Sequence, residues 1–223
     1  MRVRFILLAS LFTLIITACA PEVRILSDKL LQDTSIVTDE PCAAPCWRGI
    51  TPGETKWNDA LAILEADETL TDLQVRSNAD TGQIGAAWSV TNGDRCCQMF
   101  TQDSETVDLI VLSTTPDLTF GQLIEKYGEP EYIIGQSLAS TQALASLYYL
   151  DVPMMIYLYA EGESGTINDS SPVVGFAYTT PELMKLVVDT SNLYDWNGFG
   201  IFSDLVSGEF DLTATVTLTP INQ

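Results

Sequence analysis

The sequence predicts an α+β fold built as two tandem units, each one helix followed by antiparallel strands, the units sharing a core. Three observations carry this expectation. Thr51-Pro52-Gly53-Glu54-Thr55 recurs as Thr115-Pro116-Asp117-Leu118-Thr119, 64 residues later. After each copy the apolar residues fall at i, i+3, i+4 and i+7, the period of one helix face: Trp57, Ala60, Leu61 and Leu64, then Phe120, Leu123, Ile124 and Tyr127. Short apolar and alternating runs separated by turn residues follow each stripe, as strands do. One helix cannot cover a sheet and one small sheet cannot bury itself, so the units are expected to dock.

In chain order, Arg2 and Arg4 precede an uncharged, largely apolar run from Phe5 to Ile16, which ends in Thr17-Ala18-Cys19. A charged start, an apolar stretch and small residues before a cut describe a secretory signal peptide over residues 1–18. The run is short of the roughly 20 apolar residues of a transmembrane helix. A cysteine directly after the small residues resembles the lipobox of bacterial lipoproteins. That resemblance implies diacylglyceryl attachment at Cys19, cleavage before it, and an extracytoplasmic domain anchored to a bacterial membrane by lipid. Residues 19–40 have no sustained period and read as a tether, with an r.m.s. reach of about 25 Å if flexible. The alternative is a short amphipathic helix through Val23, Ile25, Leu26, Leu30 and Leu31.

The first unit is expected over residues 41–113. With Cys19 assigned to lipid, Cys42, Cys46, Cys96 and Cys97 remain, and an even count in an exported chain suggests disulfides. Cys42 with Cys46 is the preferred pair, because a proline-containing turn brings two Cα atoms within the roughly 4.4–6.8 Å that a bridge needs. Neighbours on a strand point to opposite faces, so Cys96 and Cys97 are left as a vicinal bridge or as partners for the first pair. A four-thiolate metal site is the sharper alternative. Asn92-Gly93 between Ile84–Thr91 and Asp94–Thr101 predicts a hairpin with a type I′ turn, whose central residues both need positive φ. Thr106 to Ser113 is apolar on both faces and reads as a central strand.

The second unit, with a C-terminal extension, is expected over residues 114–223. Thr119 with Gln122 fits a capping box and Leu118 with Leu123 a hydrophobic staple, while Gly128 and Pro130 mark the helix stop. Strands are expected at 131–135, 143–150, 154–160 and 173–178. Thr179-Thr180-Pro181-Glu182-Leu183 echoes Thr114-Thr115-Pro116-Asp117-Leu118, so a third, truncated unit is expected: a short helix near 183–188, then an alternating strand at 209–218.

Ten Lys and Arg stand against 30 Asp and Glu, a formal charge of −20 that loss of Arg2 and Arg4 deepens to −22. Such a surface repels nucleic acid and anionic headgroups, leaving lipid anchoring as the route to a membrane. There is no histidine. That excludes Ser-His-Asp and Cys-His catalysis, histidine-ligated zinc and c-type haem attachment; it also weakens a copper reading of Cys42-x3-Cys46. No Ser-x-x-Lys, Gly-x-Ser-x-Gly, P-loop or dinucleotide fingerprint occurs. The sequence therefore offers no catalytic set, no cofactor and no resident metal. Two loop-like acidic groups, Asp189 with Asp195 and Asn197, and Glu161 with Glu163 and Asp169, lack the EF-hand spacing of a calcium loop.

Two aromatic groups are candidates for binding. Tyr148, Tyr149, Tyr157 and Tyr159 lie on an expected hairpin, where aromatic residues ordinarily fill cores. Trp196 and Phe199, with Tyr194 and Phe202, sit among glycines in a loop-like stretch, where function concentrates. The Thr-Pro-Gly-x-Thr helix start and the Gly-x-Pro exit of the second helix resemble the repeat of small outer-membrane-assembly lipoproteins and of the β-lactamase-inhibitor-protein fold. Cys42 to Gly53 also resembles a group of uncharacterised cell-surface lipoproteins. Those resemblances imply protein binding rather than catalysis. The expected function is a lipid-anchored binding or scaffolding module for an envelope protein or polymer. The alternatives are a carboxylate-dependent envelope hydrolase and a purely structural envelope protein.

Overall fold

The computed structural model describes residues 25–78 and 82–206. The chain is a mixed α/β protein dominated by one antiparallel sheet with few helices. A single turn of helix, α1 (Ser35–Thr38), precedes α2 (Trp57–Ala66) and strands β1 (Leu70–Ser77), β2 (Ile84–Val90), β3 (Arg95–Thr101) and β4 (Leu109–Thr119). Helix α3 (Phe120–Tyr127) leads into β5 (Tyr132–Ala139), β6 (Gln142–Tyr149), β7 (Met154–Ala160), β8 (Thr166–Ile167) and β9 (Pro172–Thr179). Helix α4 (Pro181–Thr190), β10 (Tyr194–Asp195), β11 (Gly200–Ile201) and α5 (Phe202–Leu205) complete the described chain. The order across the large sheet is β1-β2-β3-β4-β9-β7-β6-β5-β10, while β11 and β8 pair separately. Strands from the two expected units thus run through one continuous sheet rather than two docked ones. Among the described residues no helix is long and apolar enough to cross a membrane.

One face of the sheet builds the core. Trp88, Cys97, Met99, Ile110, Leu112, Phe176, Ile156 and Leu147 alternate inward along their strands and are buried. Against them pack Trp57, Ala60 and Leu64 of α2 and Phe120 and Leu123 of α3, the stripes expected from periodicity. The capping box forms, with the Thr119 N–H donating to Gln122 Oε1 at 2.9 Å, and Gly128 ends α3 at φ 80°. Strand β4 is central, as its two apolar faces suggest. It runs on through Pro116 to Thr119, so the motif expected to open the second helix is the end of this strand. Pro116 is tolerated because the register with β9 shifts between Ser113 and Leu118.

Residues 25–40 are not the expected tether, nor is the stretch through Leu30 and Leu31 a helix. Leu31 is buried and forms a parallel bridge to Thr114. Its N–H donates to Ser113 O (3.3 Å) and its carbonyl accepts from Thr115 N–H (2.9 Å). Asp33 then accepts the Trp47 indole N–H (2.8 Å), the Ser35 N–H (2.8 Å) and the Ser35 hydroxyl (2.6 Å). Ile36 is fully buried, and its carbonyl accepts from Lys126 Nζ (3.0 Å) and Tyr127 OH (2.5 Å). Spaced apolar residues in a polar stretch gave no period because a strap contacts the core at points, not along one face. Residues 19–24 of the expected tether and the strand expected at 209–218 lie outside the described residues.

The β2–β3 turn also departs from expectation. Positive φ falls on Asn92 (61°) and not on Gly93, so the turn is not type I′. Gly93 serves close approach instead, since an added Cβ would lie 2.4 Å from the Lys29 carbonyl oxygen.

Replacing Leu31 by Ala is expected to destabilise the fold by about 3 kcal/mol, the usual cost of a buried leucine truncation. Urea unfolding monitored by circular dichroism checks this. An unchanged midpoint would return residues 25–40 to the role of a free tether.

Candidate functional site

The site with the clearest geometry is the aromatic loop after α4. Thr180 caps that helix, its hydroxyl accepting from Leu183 N–H at 3.1 Å, and Pro181 occupies the first turn. The chain then reaches the far edge of the sheet, where Tyr194 pairs with Ile133 and Asp195 with Tyr132. The Trp196 N–H donates to Glu131 O at 2.9 Å. Gly198 at φ 93° reverses the backbone, and β11 pairs with β8, Ile201 opposite Thr166. Phe202 closes the segment: its N–H donates to Gly165 O at 2.8 Å, and its ring fills the space a side chain at Gly135 would occupy.

Between these fixed points three rings meet edge to face. Trp196 lies 5.5 Å from Phe120 and 6.1 Å from Phe199, and Phe120 lies 6.0 Å from Phe199. Each such pair contributes about 0.5–1.5 kcal/mol beyond its buried area. The structure therefore brings Trp196 and Phe199 together and adds Phe120, which the sequence presents only as a core position of α3. Phe199 remains 47% exposed and Ile201 44% exposed, while Trp196 is half-buried with no acceptor for its indole N–H. Ile201 was missed in the sequence; Phe199-Gly200-Ile201 is too short an alternation to announce an exposed apolar pair.

The other candidates fall into different places. Tyr148 and Tyr149 are buried and Tyr157 and Tyr159 half-buried, so the tyrosines line the sheet rather than an exposed glycan platform. Cys42 and Cys46 sulfurs lie 2.12 Å apart with Cα atoms at 5.7 Å, and Cys96 and Cys97 sulfurs 2.07 Å apart. Both pairs are disulfides, which removes the thiolates a four-sulfur metal site would need. Asp189 is helical and ion-pairs with Lys185 one turn earlier, so it does not belong to the acidic loop expected around Asp195. Among the described residues no three acidic or thiol side chains converge as metal ligands. Cys19 lies outside the described residues.

A cleft of about 170 Å³ lies between α2 and β1, lined by Leu64, Glu65, Leu70, Thr71, Asp72, Leu73 and Trp88. It is smaller than the roughly 300 Å³ at which small-molecule pockets begin. Comparison with family models, curated proteins and solved structures returns no match.

Burial raises the phenol pKa of Tyr148 to about 12 and holds those of Tyr149, Tyr157 and Tyr178 well above the ordinary value of 10.0. The unfolded chain then releases these protons first as pH rises. Their contribution to stability is complete below pH 10 and is lost as pH climbs through the folded-state values. Alkaline titration is expected to show the ionisation absorbance of these tyrosines appearing together with loss of the circular dichroism signal. Ionisation of all the tyrosines near pH 10 with the fold intact would contradict their burial.

Proposed function

We propose that the chain is a lipid-anchored, extracytoplasmic binding or scaffolding module that engages a component of the cell envelope through the loop from Trp196 to Ile201. The observation that carries this reading is the exposure of Phe199 and Ile201 on a segment pinned at both ends, by the β5–β10 pairing and by Phe202. Apolar side chains held in place before contact lose little conformational entropy on binding, which favours a recognition role. Aromatic anchors are also the residues on which binding energy concentrates. The charged start, apolar run and small residues before Cys19 in the sequence support the extracytoplasmic, lipid-anchored setting.

The reading includes an internal duplication. Helix α2 with β1, β2, β3 and β4, and helix α3 with β5, β6, β7 and β9, follow the same order along the chain. Across the sheet the second set runs in reverse, β9-β7-β6-β5, so the fourth strands of the two sets are neighbours. That arrangement supports two copies of one helix-plus-strands unit related by an approximate two-fold axis between β4 and β9. The C-terminal loop lies outside this repeat, as a specialised contact segment added to a duplicated scaffold would.

Binding of the full-length protein to envelope preparations from its host is the direct test. The double variant Phe199→Ser, Ile201→Ser is expected to bind about tenfold more weakly, the loss of part of two buried apolar side chains, with its melting temperature unchanged. Undiminished binding by a folded double variant would remove the loop from the reading. Reproducible turnover of an envelope glycan or peptide, abolished by a single Asp or Glu substitution, would replace the reading with a hydrolase.

A further inference from the structure

We infer that the end of the sheet carrying the β2–β3 turn faces the lipid bilayer, and that Leu138, Phe199 and Ile201 contact the membrane surface there. The inference rests on the lipid-anchor reading of Cys19 and names the partner of the loop proposed above.

Register places these groups at one end. Cys97 pairs with Leu112, so the turn at 91–94 lies where β4 approaches its own end at Thr119. Thr119 pairs with Pro172, Leu158 with Val173, Ala143 with Ala160 and Ala139 with Gln142. The start of β9, the end of β7 and the β5–β6 turn therefore share that end. An added Cβ on Gly162 would lie 2.5 Å from the Ser140 carbonyl, so the loop after β7 sits on the β5–β6 turn. The aromatic loop starts at the other end of β5, where the Trp196 N–H meets Glu131 O, and runs along the sheet toward this end: Phe199 lies against Phe120, the residue after Thr119, Ile201 stands opposite Thr166, and the Ser203 N–H donates to Glu163 O (3.0 Å).

The strap enters at this end as well. The Lys29 carbonyl accepts the Asp94 N–H at 2.8 Å, and Ser27 Oγ donates to Asp94 at 3.4 Å. Because residues 25–40 are packed into the fold, only the six residues 19–24 separate the described domain from the proposed lipid attachment. Six residues span at most roughly 20 Å even when fully extended. The stretch from β3 to β6 crosses four strand spacings, also roughly 20 Å. A bilayer holding the acyl chains of Cys19 thus lies within reach of this whole end, and the opposite end is held away from it.

Four of the seven exposed large apolar side chains among the described residues gather here. Leu26 (41% exposed), Leu138 (37%), Phe199 (47%) and Ile201 (44%) belong to this end or its entering strap. The remaining three are scattered singly: Leu150 in the β6–β7 turn marks the opposite end, Leu186 lies on α4, and Val75 lies on the edge strand β1. Asp94, Glu161, Glu163 and Asp169 share the membrane-facing end with Lys29, so the contact is apolar rather than an attraction for anionic headgroups. An acyl anchor supplemented by a second apolar contact holds a protein to a bilayer more firmly than either alone.

Single cysteines introduced as Leu138→Cys, Ile201→Cys, Leu150→Cys or Leu186→Cys in the full-length, processed protein test the orientation. The protein is reconstituted into neutral phosphatidylcholine vesicles, and labelling by a water-soluble maleimide is timed against the same chain in denaturant. Labelling at 138 and 201 is expected to be about tenfold slower than at 150 and 186, a factor matching burial of part of one apolar side chain. Equal protection factors at all four sites would overturn the inference. Protection of 138 and 201 in native membranes but not in pure lipid vesicles would also overturn it, assigning the loop to a protein partner. The mass of the N-terminal peptide from the same sample separates the two readings. An unmodified Cys19 defeats the anchor itself, whereas acylated Cys19 with freely labelled 138 and 201 defeats the orientation alone.

Discussion

The antiparallel ladder between β4 and β9 is the constraint on which the rest of this structure depends. It runs from Leu109 opposite Thr179 to Thr119 opposite Pro172 and merges the two halves of the chain into one sheet. Close approach is written into it: a Cβ on Gly175 would sit 2.5 Å from the Leu112 carbonyl oxygen. Once these strands are paired, the neighbours outward to β1 and to β5 are strands that also follow one another along the chain, which leaves β10 beside β5 as the remaining long-range choice in this sheet. The ladder also decides which loops lie together at each end of the sheet, and with them the setting of the aromatic loop.

The strap is the second device, and it depends on the first. Leu31 pairs with β4 at Thr114, where the ladder to β9 has shifted register, and Asp33 receives the indole N–H of Trp47. Trp47 in turn stacks on Trp88 at 5.9 Å, so a segment of low apolar content is tied into the first half of the core. Lys126, which ion-pairs with Asp39, and Tyr127 tie its other end to α3 in the second half. A single segment, extended at Leu31 and helical over Ser35–Thr38, thereby bridges both sets of strands across the core face. The mechanical result is a short, directional connection between the domain and residues 19–24, which gives the proposed anchor an orienting role as well as a retaining one.

The aromatic loop shows how binding surfaces arise at the margin of such a sheet. β10 adds a two-residue strand beside β5, and β11 does the same for β8; neither buries a face of its own. Their work is to fix backbone, so that Phe199 and Ile201 stay in solvent while Trp196 and Phe202 pack inward. Holding apolar groups exposed is unfavourable for an isolated chain in water. Tolerating it at the end where the strap enters is what the proposed membrane contact accounts for.

Much of the fold is legible in the sequence. The stripes of α2 and α3, the capping box, the central β4 and strands β5, β6, β7 and β9 follow from local period and capping chemistry, because each is set by neighbours within a few residues. The acidic balance and the absence of histidine also bound the chemistry without any structure. Strand β1 is not legible, since an edge strand with charged residues and a positive φ at Asp72 needs no apolar alternation. Nor are the strap, the part played by Gly93 or the meeting of Phe120 with Trp196 and Phe199, because each depends on contacts between residues far apart in the chain. Trp196 and Phe199 are visible as an aromatic pair among glycines. Which of them faces water was decided only when β4 found β9 and the loop was laid against the completed sheet.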